Sequence, residues 1–263
     1  CKFVVSFCYC CMLLLFVVFS FFNFFISNIT IMNTTLLCSD NLEYIKTLDK
    51  DSIDLIYFDP PFDITEAKYD KGLDWNNLWP EMWRVLKPVG NIVIHSSQPF
   101  TYDLIGTQRK HFKYCWYWDK HNKTGHLFSK FQPMRHVEEI CVFYKKGKYI
   151  PQTIKNLNPK EISNTSSHYY ERMDNSKKYL NDKHYPSHLL DYKRRNHKYS
   201  TRPVELCEYI IKTYSNEGEI VLDLTCSDGQ SGIACSNLKR NYIGVDISKS
   251  MIEDAKINNE KNS

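Results

Sequence analysis

A doubly wound α/β fold built on a mostly parallel sheet is what this sequence predicts, and three observations carry that reading. Short apolar runs alternate with stretches of helical spacing from Thr35 to Asn258. Two of those runs stop on acidic residues, at Asp59-Pro60-Pro61 and at Asp246. A third, Glu219–Leu224, enters a loop of small residues that opens a helix. Alternating strand and helix patterns put helices on both faces of a parallel sheet.

In chain order, Thr35-Leu36-Leu37-Cys38 is a short strand ending in Ser39-Asp40. Asn41–Leu48 places Leu42, Ile45 and Leu48 on one helical face. Ile53–Phe58 is apolar enough for a buried strand, and two prolines end its pairing. Leu73–Leu86 is an amphipathic helix whose Trp75, Trp79 and Trp83 recur every fourth position, which favours core packing over base stacking. Lys87-Pro88-Val89-Gly90 breaks it before a strand at Asn91–Ser96. Pro99–Gly106 reads as helix, and Phe112–Trp118 and Glu139–Tyr144 as strands. Residues 147–198 turn polar and lose periodicity, as an inserted module or long loop does. A helix returns at Pro203–Thr213, then a strand at Glu219–Leu224, the loop Thr225–Gly232 and a helix to Leu238. Tyr242–Val245 is the last strand, and Ser248 caps a final helix to about Asn258.

Two compositional features narrow the function classes. The ten cysteines show no zinc-ligand spacing in the body of the chain, so free thiols in a reducing compartment are expected, with no metal and a cytoplasmic location. Phe3–Phe25 is apolar and long enough for a bilayer, which needs about 20 residues. Its Phe, Val, Cys, Leu, Ser, Ile and Asn content matches T-rich non-coding DNA read in frame. Residues 1–31 are therefore expected to be upstream translation or an apolar leader, with the globular pattern starting at Met32 and no membrane association.

Asp59-Pro60-Pro61-Phe62 sits at a strand's carboxyl end, where ligands of open α/β sheets bind. The amino nitrogen of adenine or cytosine is a poor nucleophile because its lone pair is delocalised into the ring. A carboxylate at Asp59 and the carbonyl of Pro60, which has no N–H, can accept its two hydrogens. Pro61 stiffens the loop, and Phe62 can stack on a base flipped out of a duplex. An acid-capped turn is the competing reading of the tetrapeptide alone. The second motif, Val221–Gly232, brings a small-residue loop and a helix N-terminus to a ligand. Asp246, 17 residues after Gly229, suits a ribose diol. A nicotinamide-binding fold shares this layout, but the three-glycine spacing is missing.

These elements resemble, in order, the amino-methyltransferases of DNA, in the circularly permuted class that places the catalytic motif before the cofactor loop. The resemblance spans nearly all of residues 34–258. Ser39-Asp40 resembles the segment that approaches the cofactor adenine, and Asp59–Phe62 the catalytic Asp-Pro-Pro-Tyr. Ser200-Thr201-Arg202-Pro203-Val204 resembles the Thr-Gln-Lys-Pro-Val element that helps hold the methionine part. Asp223–Gly232 resembles the cofactor loop, and Tyr242–Asp246 the strand with the ribose-binding acid. The resemblance implies a seven-stranded sheet and a methyltransferase domain over residues 32–263 with a target-recognition insertion at 147–199. It further implies S-adenosylmethionine as cofactor and adenine N6 of double-stranded DNA as the acceptor, with cytosine N4 the nearest alternative. Asp40, Ser200, Arg202, Asp223, Thr225, Ser227, Gly229 and Asp246 are the cofactor-binding residues it points to.

Four departures stand out. Ser227-Asp228-Gly229 replaces the usual Gly-Ser-Gly, Asp246 the usual Glu, Phe62 the Tyr, and Arg202 the Lys. The altered loop keeps open a non-catalytic DNA-binding remnant. Between Pro151 and Arg202, eleven basic residues stand against five acids, a net +6 that exceeds the +4 of the whole chain. Interleaved tyrosines and this charge suit a phosphate backbone, with Lys193, Arg194 and Arg195 the expected contacts; a solvated insertion is the plainer reading. His95 and His136 read as structural histidines.

Overall fold

The computed structural model describes residues 33–67, 70–163, 178–194 and 202–262. The apolar segment 1–31 lies outside the described residues, as do Arg195, Ser200 and Thr201, and Tyr169, Tyr170 and Arg172 of the polar region. In chain order the elements are β1 (Thr34–Cys38), α1 (Asn41–Thr47), β2 (Ile53–Phe58), α2 (Trp75–Val85), β3 (Leu86–Ser96), α3 (Phe100–Thr107), β4 (Phe112–Thr124) and β5 (Arg135–Phe143). Then come β6 (Ile154–Lys155), β7 (Glu161–Ser163), β8 (Lys178–Leu180), β9 (Lys183–His184), β10 (Leu189–Asp191), α4 (Val204–Tyr214), β11 (Ile220–Asp223), α5 (Gln230–Asn237), β12 (Asn241–Asp246) and α6 (Lys249–Lys261).

Eight strands form the main sheet in the order β1-β12-β11-β2-β3-β5-β4-β10. Only β5 runs against the rest, pairing antiparallel with β3 and β4. The eighth strand, β10, comes from the polar region and pairs parallel with β4. That region also builds a nested arm in which β6 pairs with β9 and β7 with β8. Its strands have two or three residues each, too short to imprint an alternating pattern. The break expected at Lys87–Gly90 is a shift of register rather than an interruption of β3: Ile53 pairs with Leu86, but Leu55 pairs with Asn91. Pro88 has no N–H to give that ladder.

Every residue of β2 is buried, as befits a central parallel strand covered on both faces. Leu55 and Tyr57 pack with Leu206, Ile210 and Ile211 of α4, while Ile56 and Phe58 pack with Leu78 and Met82 of α2. The period of two along the strand thus feeds two separate cores. Trp79 is buried and stacks on Trp83 at 6.1 Å, as core packing requires.

Tyr214, at the end of α4, fastens that helix to β4. Its hydroxyl accepts from Trp116 Nε1 at 2.6 Å and lies 3.0 Å from the Tyr114 hydroxyl, with Tyr214 and Trp116 both buried. Tyr214→Phe strips a buried indole N–H of its acceptor, so urea unfolding is expected to show a loss of roughly 1–3 kcal/mol.

Candidate active site

The parallel strands β1, β12, β11 and β2 end at one edge of the sheet, and each delivers an acid there: Asp40, Asp246, Asp223 and Asp59. Asp59 follows the last residue of β2, and its side chain keeps 31 % of its surface exposed. Its Oδ1 accepts from Arg202 Nη2 at 2.7 Å. The same Nη2 lies 2.9 Å from Glu138 Oε2, and the guanidinium sits 5.2 Å over the Trp118 ring. Lys120, itself buried, donates to Glu138 Oε1 at 2.9 Å. Burial pushes the Asp59 carboxyl up to about 6, against the opposing pull of Arg202, while Glu138 adds to the rise. Burial also acts to raise Glu138, but Arg202 and Lys120 outweigh it and hold that carboxyl below its ordinary value.

The hydrogen bonds fix the state of His95. Burial first, and the Arg202 charge second, push this imidazole far below its ordinary pKa, so it is neutral. Arg202 Nε can only donate, and it reaches His95 Nδ1 at 3.3 Å. The ring proton therefore sits on Nε2 and points at the Tyr57 hydroxyl, 2.8 Å away. The Tyr57 proton is left for Cys207 Sγ at 3.4 Å. Both ring nitrogens of His95 are taken, which makes it a structural histidine. Arg202, expected on the methionine part of a cofactor, pairs its guanidinium with Asp59, Glu138 and His95. A cation removed from water is drawn to the buried carboxylates beside it.

Pro60 is buried and Pro61 partly so, and the chain turns sharply after them. The half-buried Phe62 ring stacks on Phe100 at 5.4 Å. The amides of Phe62, Asp63, Ile64 and Thr65 all donate to one carboxylate, Asp70, at 2.7–3.0 Å, and the Thr65 hydroxyl joins them. Burial acts to raise Asp70, yet these five donors bring it below its ordinary value. Asp70 and Glu138 are the organising residues that sequence reasoning missed. An acid inside the apolar run before Phe143 was the only signal for Glu138, and nothing marked Asp70.

The second loop is joined to the first directly, because β11 and β2 are parallel neighbours. Thr225 Oγ1 donates to the Asp59 carbonyl at 2.9 Å. Asp223 is buried and turned inward, accepting from the Thr225 amide at 3.0 Å, the Tyr242 hydroxyl at 3.3 Å and the Ser231 hydroxyl. Burial pushes its carboxyl up to about 7 against those bonds. Ser227 holds a left-handed φ of 49°, and its amide donates to Asp246 Oδ2 at 3.0 Å. Asp246 Oδ1 accepts from the Ser248 amide at 2.8 Å. Asp228, the second of the loop's departures, is buried and accepts from Gln230 Nε2 at 3.1 Å. Gly229 has φ 84°, and a Cβ there would meet Asn259 Nδ2 at 2.7 Å and Ala255 Cβ at 2.9 Å. Asp40 caps α1 through the amides of Leu42 and Glu43.

Lys193 and Arg194 follow β10, and the Arg194 amide donates to the Lys120 carbonyl at 3.0 Å. The Arg194 charge lowers the pKa of both Asp59 and Glu138, so this residue belongs to the rim of the same site.

A family model described as DNA methylase matches residues 53–257. The chain belongs to the N6/N4 DNA methylase family. The type II methyltransferase M.HpaI of Haemophilus parainfluenzae is 28 % identical over 239 residues, covering 86 % of this chain and 74 % of that one. The DNA adenine methyltransferase YhdJ of Escherichia coli K12 is 26 % identical, covering 83 % and 80 %. Two solved structures share the fold. M1.HpyAVI, in complex with S-adenosylmethionine, has a TM-score of 0.59 at 24 % identity, over 86 % of this chain and 99 % of that one. The cytosine-N4-specific PvuII methyltransferase has a TM-score of 0.63 at 15 % identity, over 88 % and 90 %. This methylase is accordingly an S-adenosylmethionine-dependent DNA methyltransferase of the N6/N4 class. Its donor set fits that cofactor in kind. Asp246 keeps lone pairs for a diol beyond its two amide bonds, and no side chain caps α5, whose first amides suit a carboxylate. Among the described residues no helix is long and apolar enough to cross a membrane.

Ser227 occupies a backbone region that favours glycine. Ser227→Gly keeps the amide bond to Asp246 and relieves that strain, so thermal melting is expected to show a gain of about 0.5–1 kcal/mol.

Proposed function

We propose that this methylase transfers the methyl group to adenine N6 of double-stranded DNA, on a base turned out of the helix. The observation that carries this reading is the Asp59 carboxylate, partly exposed at the carboxyl end of β2 and tied through its own carbonyl to Thr225 of the cofactor loop. Asp at the first motif position is, by the family resemblance, more often paired with adenine, and the relative YhdJ is named for that base. Asp40, Asp223, Thr225, Ser227, Gly229 and Asp246 are assigned to cofactor binding, together with Ser200 outside the described residues. S-adenosylmethionine supplies a methyl group on a positively charged sulfur.

The protein's part is positional. With Arg202 on Oδ1, the Asp59 Oδ2 is the oxygen left to accept an amino hydrogen of the base. The Pro60 carbonyl takes the second hydrogen, and together they localise the nitrogen lone pair for in-line attack. Phe62, braced by Phe100, offers its ring to the base. Residues 147–199 read the target sequence, with Lys193, Arg194 and Arg195 on phosphates.

Nucleoside mass spectrometry of unmodified duplex incubated with the protein and cofactor is expected to show N6-methyladenine. N4-methylcytosine would overturn the adenine assignment, and no methylated nucleoside despite cofactor binding would overturn the DNA reading. Asp59→Asn is expected to lower the single-turnover rate by roughly 10²–10³-fold with cofactor affinity kept, as loss of a positioned charge-stabilising group does. The ionised carboxylate is the accepting form, so the wild-type rate should rise with pH through about 6. Arg202→Gln removes the cation that favours ionisation, and the acid limb of its pH–rate profile should move to higher pH.

A further inference from the structure

The turn joining β4 and β5 carries a feature that the catalytic cluster does not use. β4 runs parallel to β3 and β2, so its last residues lie at the edge that holds Asp59. Lys120 marks the depth of the catalytic cluster through its bond to Glu138. The hairpin continues past it, with Thr124 paired to Arg135, on the order of 10 Å further at strand rise. Its turn exposes Leu127 by 88 %, Phe131 by 86 % and Phe128 by 57 %. Single exposed apolar side chains are ordinary, but three within five residues at one turn are a patch. From Lys120 to Val137 there are four basic residues and no acid. Lys123 and Lys130 are exposed, and Arg135 partly so.

We infer that this turn is a wedge that enters the base stack of the DNA beside the target. It rests on the reading of duplex DNA as substrate. Turning a base out costs a few kcal/mol of stacking and pairing and leaves a gap. Apolar side chains such as Phe and Leu, inserted between base steps, fill such gaps. Leu127 and Phe131 are the side chains presented for that purpose, and Lys123, Lys130 and Arg135 are placed to hold the flanking phosphates. A second copy of the chain is disfavoured as occupant, since two such hairpins would bring like charges together.

The test uses the full chain, with its target site first mapped by sequencing DNA methylated by the wild type. Leu127→Ala/Phe131→Ala is compared with wild type on two duplexes, one fully paired and one with the target base opposite an abasic site. Both side chains are exposed, so the fold is unaffected. On paired DNA the variant is expected to be at least about ten-fold slower, a loss of roughly 1.4 kcal/mol, and to lose the fluorescence rise of 2-aminopurine at the target position. On the abasic-opposed duplex, where the base is already unpaired, it should stay within about three-fold of wild type. Equal rates for variant and wild type on both duplexes would overturn the wedge. So would an equal loss on both, or a change of oligomeric state in sedimentation without the difference between duplexes. Wild-type protein that methylates neither duplex would instead mark the failure of the DNA reading itself.

Discussion

A guanidinium taken out of water must be met on several sides, and the sheet edge that carries Asp59 is arranged around that demand at Arg202. Asp59, Glu138, His95 and the face of Trp118 surround it. Buried ion pairs return their desolvation cost only when geometry and further hydrogen bonds are good. Here the second carboxylate has its own partner in Lys120, and the histidine donates its remaining N–H to the Tyr57 hydroxyl. The four groups come from the end of β2 and from β3, β5 and β4, and Arg202 itself precedes α4, so satisfying one cation fixes the relative position of five segments. Asp59 gains a fixed rotamer from the same arrangement, while burial lifts its carboxyl to about 6 against the pull of Arg202.

The regular part of this fold was legible from residues alone. β2, β12 and α2 follow from apolar runs with clear periods, and each appears within two residues of the expected bounds. The motif Asp59–Phe62 and the acid at Asp246 were legible because both sit where an apolar run stops. What could not be read is what depends on long-range placement. Arg202 lies 143 residues from Asp59, and its charge alone did not say whether cofactor or protein would claim it. Asp70 is an unremarked acid in a polar stretch until the turn folds back over it. The strands β6 to β10 escaped notice because runs of two or three residues carry no period.

The departures at the cofactor loop turn out to be absorbed unequally. Asp228 is accommodated by burial and by Gln230, so its charge faces the protein. Asp246, though a methylene shorter than Glu, is anchored by two amides. Ser227 alone retains a conformational penalty, since its backbone takes the left-handed region that a glycine there would enter freely. The loop keeps its shape through Gly229, whose left-handed backbone leaves no room for a side chain against Asn259 and Ala255.

The small strand β10 has a bearing on how the polar region could be exchanged between relatives. It is woven into the main sheet by its pairing with β4, and the next residues bond to Lys120 beneath the catalytic cluster. The polar region is therefore not a bead on a string that can be clipped out at its ends. A chimera that swaps it between relatives must carry β10 and a matching edge on β4 as one cassette. Otherwise the transplant would leave an open strand edge beside the very residues that hold Asp59.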